Sequence, residues 1–98
     1  EDLGFADPGT AWREVLDGTF ALDGDLPVNT DGGLKSFGHP VGASGLRMLY
    51  EVWLQLRGEA PDDRRIPATD RTLGLTHNLG GYPGEMVSFV GIYGTELG

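Results

Sequence analysis

Two short stretches carry the side chains best suited to chemistry: "KSFGHPVGASGLR" at 35–47 and "LTHNLGGYPG" at 75–84. Each sets a histidine, His39 or His77, close to glycines. Pro40 disfavours helical geometry at His39 and suits the first turn of a helix that follows. The His39 imidazole is therefore expected near a helix N-terminus, where unpaired amides and the helix dipole favour negative charge. A neutral histidine there can donate one N–H to a developing oxyanion or take up a proton. The plainer alternative is a histidine that only hydrogen-bonds its loop. In the second stretch, His77 and Asn78 are expected at a strand end. Gly80 and Gly81 follow as a turn whose amides form an anion-binding concavity. Tyr82, restrained by Pro83, is a candidate proton donor or acceptor. The alternatives are a glycine-rich hairpin with a solvated histidine and a tyrosine that is simply a half-buried wall.

These groups need elements to hold them. Leu46, Leu49, Tyr50, Trp53 and Leu54 recur at helical spacing, which predicts a helix over about 42–57 stopped by Gly58. So many apolar positions suggest a helix largely buried against a sheet. Strands are predicted at about 73–77 and 86–93, with a brief extended piece at 27–30 and a charged loop over 59–72. "AWREVLDG" predicts a short helical turn ended by Gly18. The sum is α/β with a mixed sheet, one face and one edge of which lack cover. The chain therefore reads as part of a larger α/β body.

Composition narrows the function. Fifteen acidic against seven basic residues argue against a grip on nucleic acid. The absence of cysteine excludes a disulfide framework, a Cys-ligated zinc site and a local nucleophilic thiol. No metal site is expected. No apolar run approaches the length needed to span a membrane, so no membrane partner and a cytoplasmic location are expected. The 17 glycines cluster between apolar segments, as in tight turns and close backbone approaches rather than a disordered linker.

"NTDGGLKSFGHPVGASGLRMLYEVWLQLRGEA" followed by "LGLTHNLGGYPGEMVSFVGIYG" resembles the C-terminal region of the thiolase superfamily. The likeness is nearest to the sterol-carrier-protein-type thiolases and their thiolase-like aldolase relatives. It runs from about Val28 onward and weakly over the first 27 residues. It implies the C-terminal half of a layered α-β-α fold, residues 1–98 being an incomplete segment whose N-terminal half lies elsewhere. It implies that His39 is the catalytic histidine, and that Gly80 and Gly81, with Gly38, belong to the oxyanion and substrate-binding loops.

The implied activity is making or breaking a C–C bond next to a CoA thioester, which is substrate rather than cofactor. Thiolases carry a proton-shuttling cysteine where this chain has His77-Asn78. Steroid side-chain aldolases of the family use tyrosines instead. Tyr82 thus favours retro-aldol cleavage of a 3-hydroxyacyl-CoA in lipid or steroid side-chain degradation. The alternatives are a thiolase acyltransferase using a cysteine of the N-terminal half, and a non-catalytic acyl-CoA-binding or dimerisation half. The implied partners are acyl-CoA, the N-terminal half, a second copy in a homodimer and a small OB-fold acyl-CoA-binding protein.

Overall fold

A computed structural model describes residues 1–67 and 70–96. Three helices precede one antiparallel hairpin: α1 (Ala11–Leu16), α2 (Gly33–Phe37), α3 (Ser44–Leu56), β1 (Leu73–Tyr82) and β2 (Glu85–Gly94). Both expected helix stops act as C-caps. After α3, Gly58 takes φ 69°. Its N–H then reaches Gln55 O at 3.0 Å, and the Glu59 N–H reaches Leu54 O at 2.8 Å. That pair of bonds satisfies carbonyls a helix end otherwise leaves open. Gly18 ends α1 in the same way, with bonds from Gly18 N to Val15 O and from Thr19 N to Glu14 O.

The α/β class stands, and four local expectations change. The extended piece expected at 27–30 pairs with no strand among the described residues, and the sheet is a two-stranded antiparallel pair rather than a mixed one. The first long strand does not end at His77. It runs to Tyr82, so Gly80 and Gly81 are paired with Val87 and Met86, and the turn falls at Pro83-Gly84. Glycine weakens a strand without forbidding it, and a ten-residue partner holds it in register. The Pro-Gly order, with Gly84 at φ 90°, suits a type II turn. Helix α2 was not expected at all. Ala68 and Thr69 of the loop expected over 59–72 lie outside the described residues.

Helix α3 has three distinct faces. Leu49, Val52 and Leu56 look toward the hairpin, where Gly74 is essential to the fit. A Cβ at Gly74 would stand 2.5 Å from Val52 Cγ1. Ser44, Arg47, Glu51 and Gln55 line a second, polar face toward the loop that carries α2. Leu46, Tyr50 and Trp53 form a third face that stays open, each between 46% and 72% exposed. The helix expected to be largely buried is therefore covered on two faces of three.

Candidate active site

His39 enters the site between two constraints. Upstream, Gly38 takes φ 77° and ψ 177°, a region essentially reserved for glycine, and this turns the chain out of α2. Downstream, Pro40 opens the first turn of α3, with its carbonyl accepting from Ala43 N at 2.8 Å and Ser44 N at 3.0 Å. His39 Nδ1 lies 2.6 Å from the hydroxyl of Ser44, which is 1% exposed. The same hydroxyl lies 3.1 Å from Pro40 O.

The hydroxyl can donate to Pro40 O while accepting from Nδ1–H, or donate to Nδ1 itself, according to which ring nitrogen carries the proton. In the second arrangement Nδ1 is the acceptor and the neutral ring carries its proton on Nε2. One buried serine thus engages Nδ1 in either tautomer, and His39 itself remains exposed.

The loop bearing His39 is fastened to the polar face of α3. Arg47 pairs with Asp31, whose other oxygen accepts the Gly33 N–H at 2.8 Å at the start of α2. Arg64 grips Glu51 with Nε and Nη2, each 3.1 Å from a carboxylate oxygen. Gln55 joins the parts, donating to Glu51 at 3.0 Å and to Arg64 O at 2.8 Å and accepting from Ile66 N at 2.9 Å. None of these residues was singled out as a candidate. The available signal was the polar series Ser44, Arg47, Glu51, Gln55 at helical spacing on an otherwise apolar helix.

Burial pushes the Asp31 carboxyl up, but the Arg47 hydrogen bond, the Gly33 amide and the Arg47 charge outweigh it, and the net shift is downward. A carboxyl lowered in the folded state stabilises above its unfolded value, 3.8, and loses that contribution as pH falls through the lower folded value. Asp31→Asn in the full-length protein should therefore lower Tm at pH 7 and flatten the fall of Tm below about pH 4. A full acid-side fall in the variant would exclude Asp31 as its source.

The second motif is split by the pleat. Successive strand residues face opposite sides, so His77 and Asn78 cannot act on one ligand from one face. Asn78 faces α3, where a Cβ on Gly45 would lie 3.6 Å from its Nδ2. It therefore sits beside the helix turn that holds Ser44 and His39. His77 faces away and bonds Ser88 Oγ at 2.8 Å on the outer face, among Leu75, Leu79, Val90 and Ile92.

Tyr82 lies at the hairpin tip, 79% exposed. Four strand steps separate it from Asn78, about 13 Å. Its hydroxyl has no hydrogen-bond partner among the described residues, so neither His77 nor Asn78 bonds it.

The glycine pair is corrected in the same way. The bond from Thr95 N to Thr72 O, 3.1 Å, makes 72 and 95 a hydrogen-bonded pair. Alternation along the ladder then commits Gly80 to Val87, while Gly81, opposite Met86, takes φ 113°, outside regular strand geometry. The cavity of about 460 Å³ between Trp53, Leu56 and Tyr93 lies at the other end of α3 and belongs to the open apolar face. Among the described residues, no cluster of His, Cys, Asp or Glu could hold a metal ion, and no helix is long and apolar enough to cross a membrane.

Residues 1–93 match the family model described as thiolase C-terminal domain-like. An acetyl-CoA acetyltransferase of Methanothermobacter thermautotrophicus is 49% identical over 84 residues, covering 86% of this chain and 21% of the relative. Human sterol carrier protein 2 is 41% identical over 80 residues, covering 82% and 14%. The benzoylsuccinyl-CoA thiolase subunit of Thauera aromatica is 32% identical over 81 residues, covering 83% and 20%. No solved structure gives a significant match. The chain spans about a fifth of the length of the acetyltransferase it matches. With "GHPVGASG" at the head of α3 and the family model covering nearly its whole length, the chain belongs to the thiolase superfamily, as a C-terminal domain-like part of that fold.

Proposed function

We propose that this chain supplies the thioester-polarising histidine of a thiolase acyltransferase, His39, and part of the wall that binds an acyl-CoA. The observation that carries the reading is the His39–Ser44 contact, which engages Nδ1 and leaves Nε2 of an exposed imidazole free at the N-terminus of α3; in this reading Nε2 carries the proton. An N–H donor held in place before reaction stabilises the oxygen of a forming enolate without having to reorganise. Asn78, beside Gly45, is the adjoining donor. In this reading the nucleophilic cysteine comes from the rest of the enzyme, since this chain contains none. The acetyl-CoA acetyltransferase relative favours acyl transfer over retro-aldol cleavage. The position of Tyr82, remote from Asn78 and without a hydrogen-bond partner among the described residues, also speaks against the tyrosine-driven route.

The complete enzyme should cleave a 3-ketoacyl-CoA only with free CoA, yielding two acyl-CoA products. Release of an aldehyde or ketone from a 3-hydroxyacyl-CoA without free CoA would contradict this reading. Tyr82→Phe should leave kcat within about twofold, against the loss of about two orders of magnitude expected for a general acid or base. Ser44→Ala should lower kcat about tenfold, the equivalent of one hydrogen bond of about 1.4 kcal/mol, with little change in KM. An unchanged kcat would mean that His39 does not need Ser44. A homodimer and a small OB-fold acyl-CoA-binding partner belong to the same reading. The solution mass of the complete enzyme, with and without that partner, tests both.

A further inference from the structure

Phe37 is the last residue of α2, two positions before His39. Two guanidinium groups lie over its half-exposed ring, Arg47 Cζ 4.4 Å and Arg64 Cζ 5.5 Å from the ring centre. Neither arginine is loose. Arg47 is held by Asp31 and Arg64 by Glu51, and both carboxylates are themselves well covered, at 6% and 12% side-chain exposure. Arg47 and Glu51 stand on the polar face of α3, one and two turns beyond Ser44. The same helix face therefore holds the loop on both sides of His39, at Phe37 and at Ser44. Between these anchors lie Gly38, whose backbone suits no other residue, His39-Pro40 and the turn Val41-Gly42-Ala43 that leads into α3.

We infer that Arg47 and Arg64, acting through Phe37, are positioning residues for His39. They fix where α2 ends and so where the imidazole meets the thioester. The inference rests on His39 having the role proposed above. A guanidinium is suited to this because its flat, delocalised charge stacks on a ring face while its edge binds a carboxylate. Lysine offers a point charge and cannot do both. Misplacement of a catalytic group by about 1 Å can cost about a hundredfold in rate, so a clamp far from the chemistry still registers in kcat.

The test is a double-mutant cycle in the complete enzyme, reading kcat and KM for thiolysis. Phe37→Leu should lower kcat about ten- to hundredfold with KM within about twofold, and Phe37→Tyr, which keeps the ring, should restore most of the activity. In a His39→Ala background, Phe37→Leu should cost less than about twofold further, because there is no imidazole left to misplace. Arg47→Lys should follow the pattern of Phe37→Leu. Equal loss from Phe37→Leu in both backgrounds, or loss expressed in KM alone, overturns the inference while leaving His39 catalytic. An undiminished kcat in His39→Ala alone instead strikes the reading of His39 itself, and the inference falls with it.

Discussion

Replacing His39 with alanine in the complete enzyme should lower kcat by about two to three orders of magnitude, the effect of losing one oxyanion donor. KM should change by no more than a few-fold, because the lost bond strengthens only as charge builds on the thioester oxygen. The magnitude follows from the geometry rather than from the residue type alone. Ser44 engages Nδ1 with a 2.6 Å contact from a buried position, so the ring cannot turn without giving up that short hydrogen bond. His39→Asn, which keeps a donor but not the ring, should recover only part of the loss. A variant whose defect lies wholly in KM would make His39 a binding residue.

The second large effect concerns folding. Residues 1–98 expressed alone should show no cooperative thermal transition, and instead bind hydrophobic dyes with weak near-ultraviolet dichroism. Among the described residues the fully covered apolar core is Ala60, while Leu46, Tyr50 and Trp53 on α3 and Leu79, Met86 and Ile92 on the hairpin stand open. The chain exposes 7383 Å², against about 5,400 Å² for a folded monomer of this length. The excess, about 2,000 Å², is of the order that permanent interfaces bury. A two-stranded hairpin with one helix on it gains too little burial to offset chain entropy. Co-expression with the remaining part of the thiolase fold should restore a sharp transition. A sharp transition for the soluble 98-residue monomer would refute this.

The helix was legible because its signals agreed. Leu49 and Trp53 gave the period, Pro40 marked the start and Gly58 the stop, and α3 begins two residues after the expected Gly42 and ends one before the expected Arg57. The sheet was less legible for a physical reason. Glycine reads as a turn former, yet Gly80 and Gly81 are held in a strand by cross-strand pairing with Val87 and Met86, which local sequence does not display. That misplacement carried the site with it. With the strand ending at His77, the pair His77-Asn78 and the nearby Tyr82 read as one cluster. With the strand running through Tyr82, the pleat turns His77 away, leaves Asn78 beside Gly45, and carries Tyr82 to the tip. Helix α2 escaped notice because five residues give no periodicity, and Asp31, Arg47 and Arg64 hold it by contacts distant in sequence.

The central claim is that Nε2–H of His39 polarises a CoA thioester. Difference infrared spectroscopy of acetyl-CoA labelled with carbon-13 at the carbonyl, bound to the complete enzyme, reads that bond directly. The account predicts a carbonyl band shifted to lower frequency on binding, with most of the shift lost in His39→Ala and part of it in Ser44→Ala. The same shift in the wild type and in His39→Ala would contradict it.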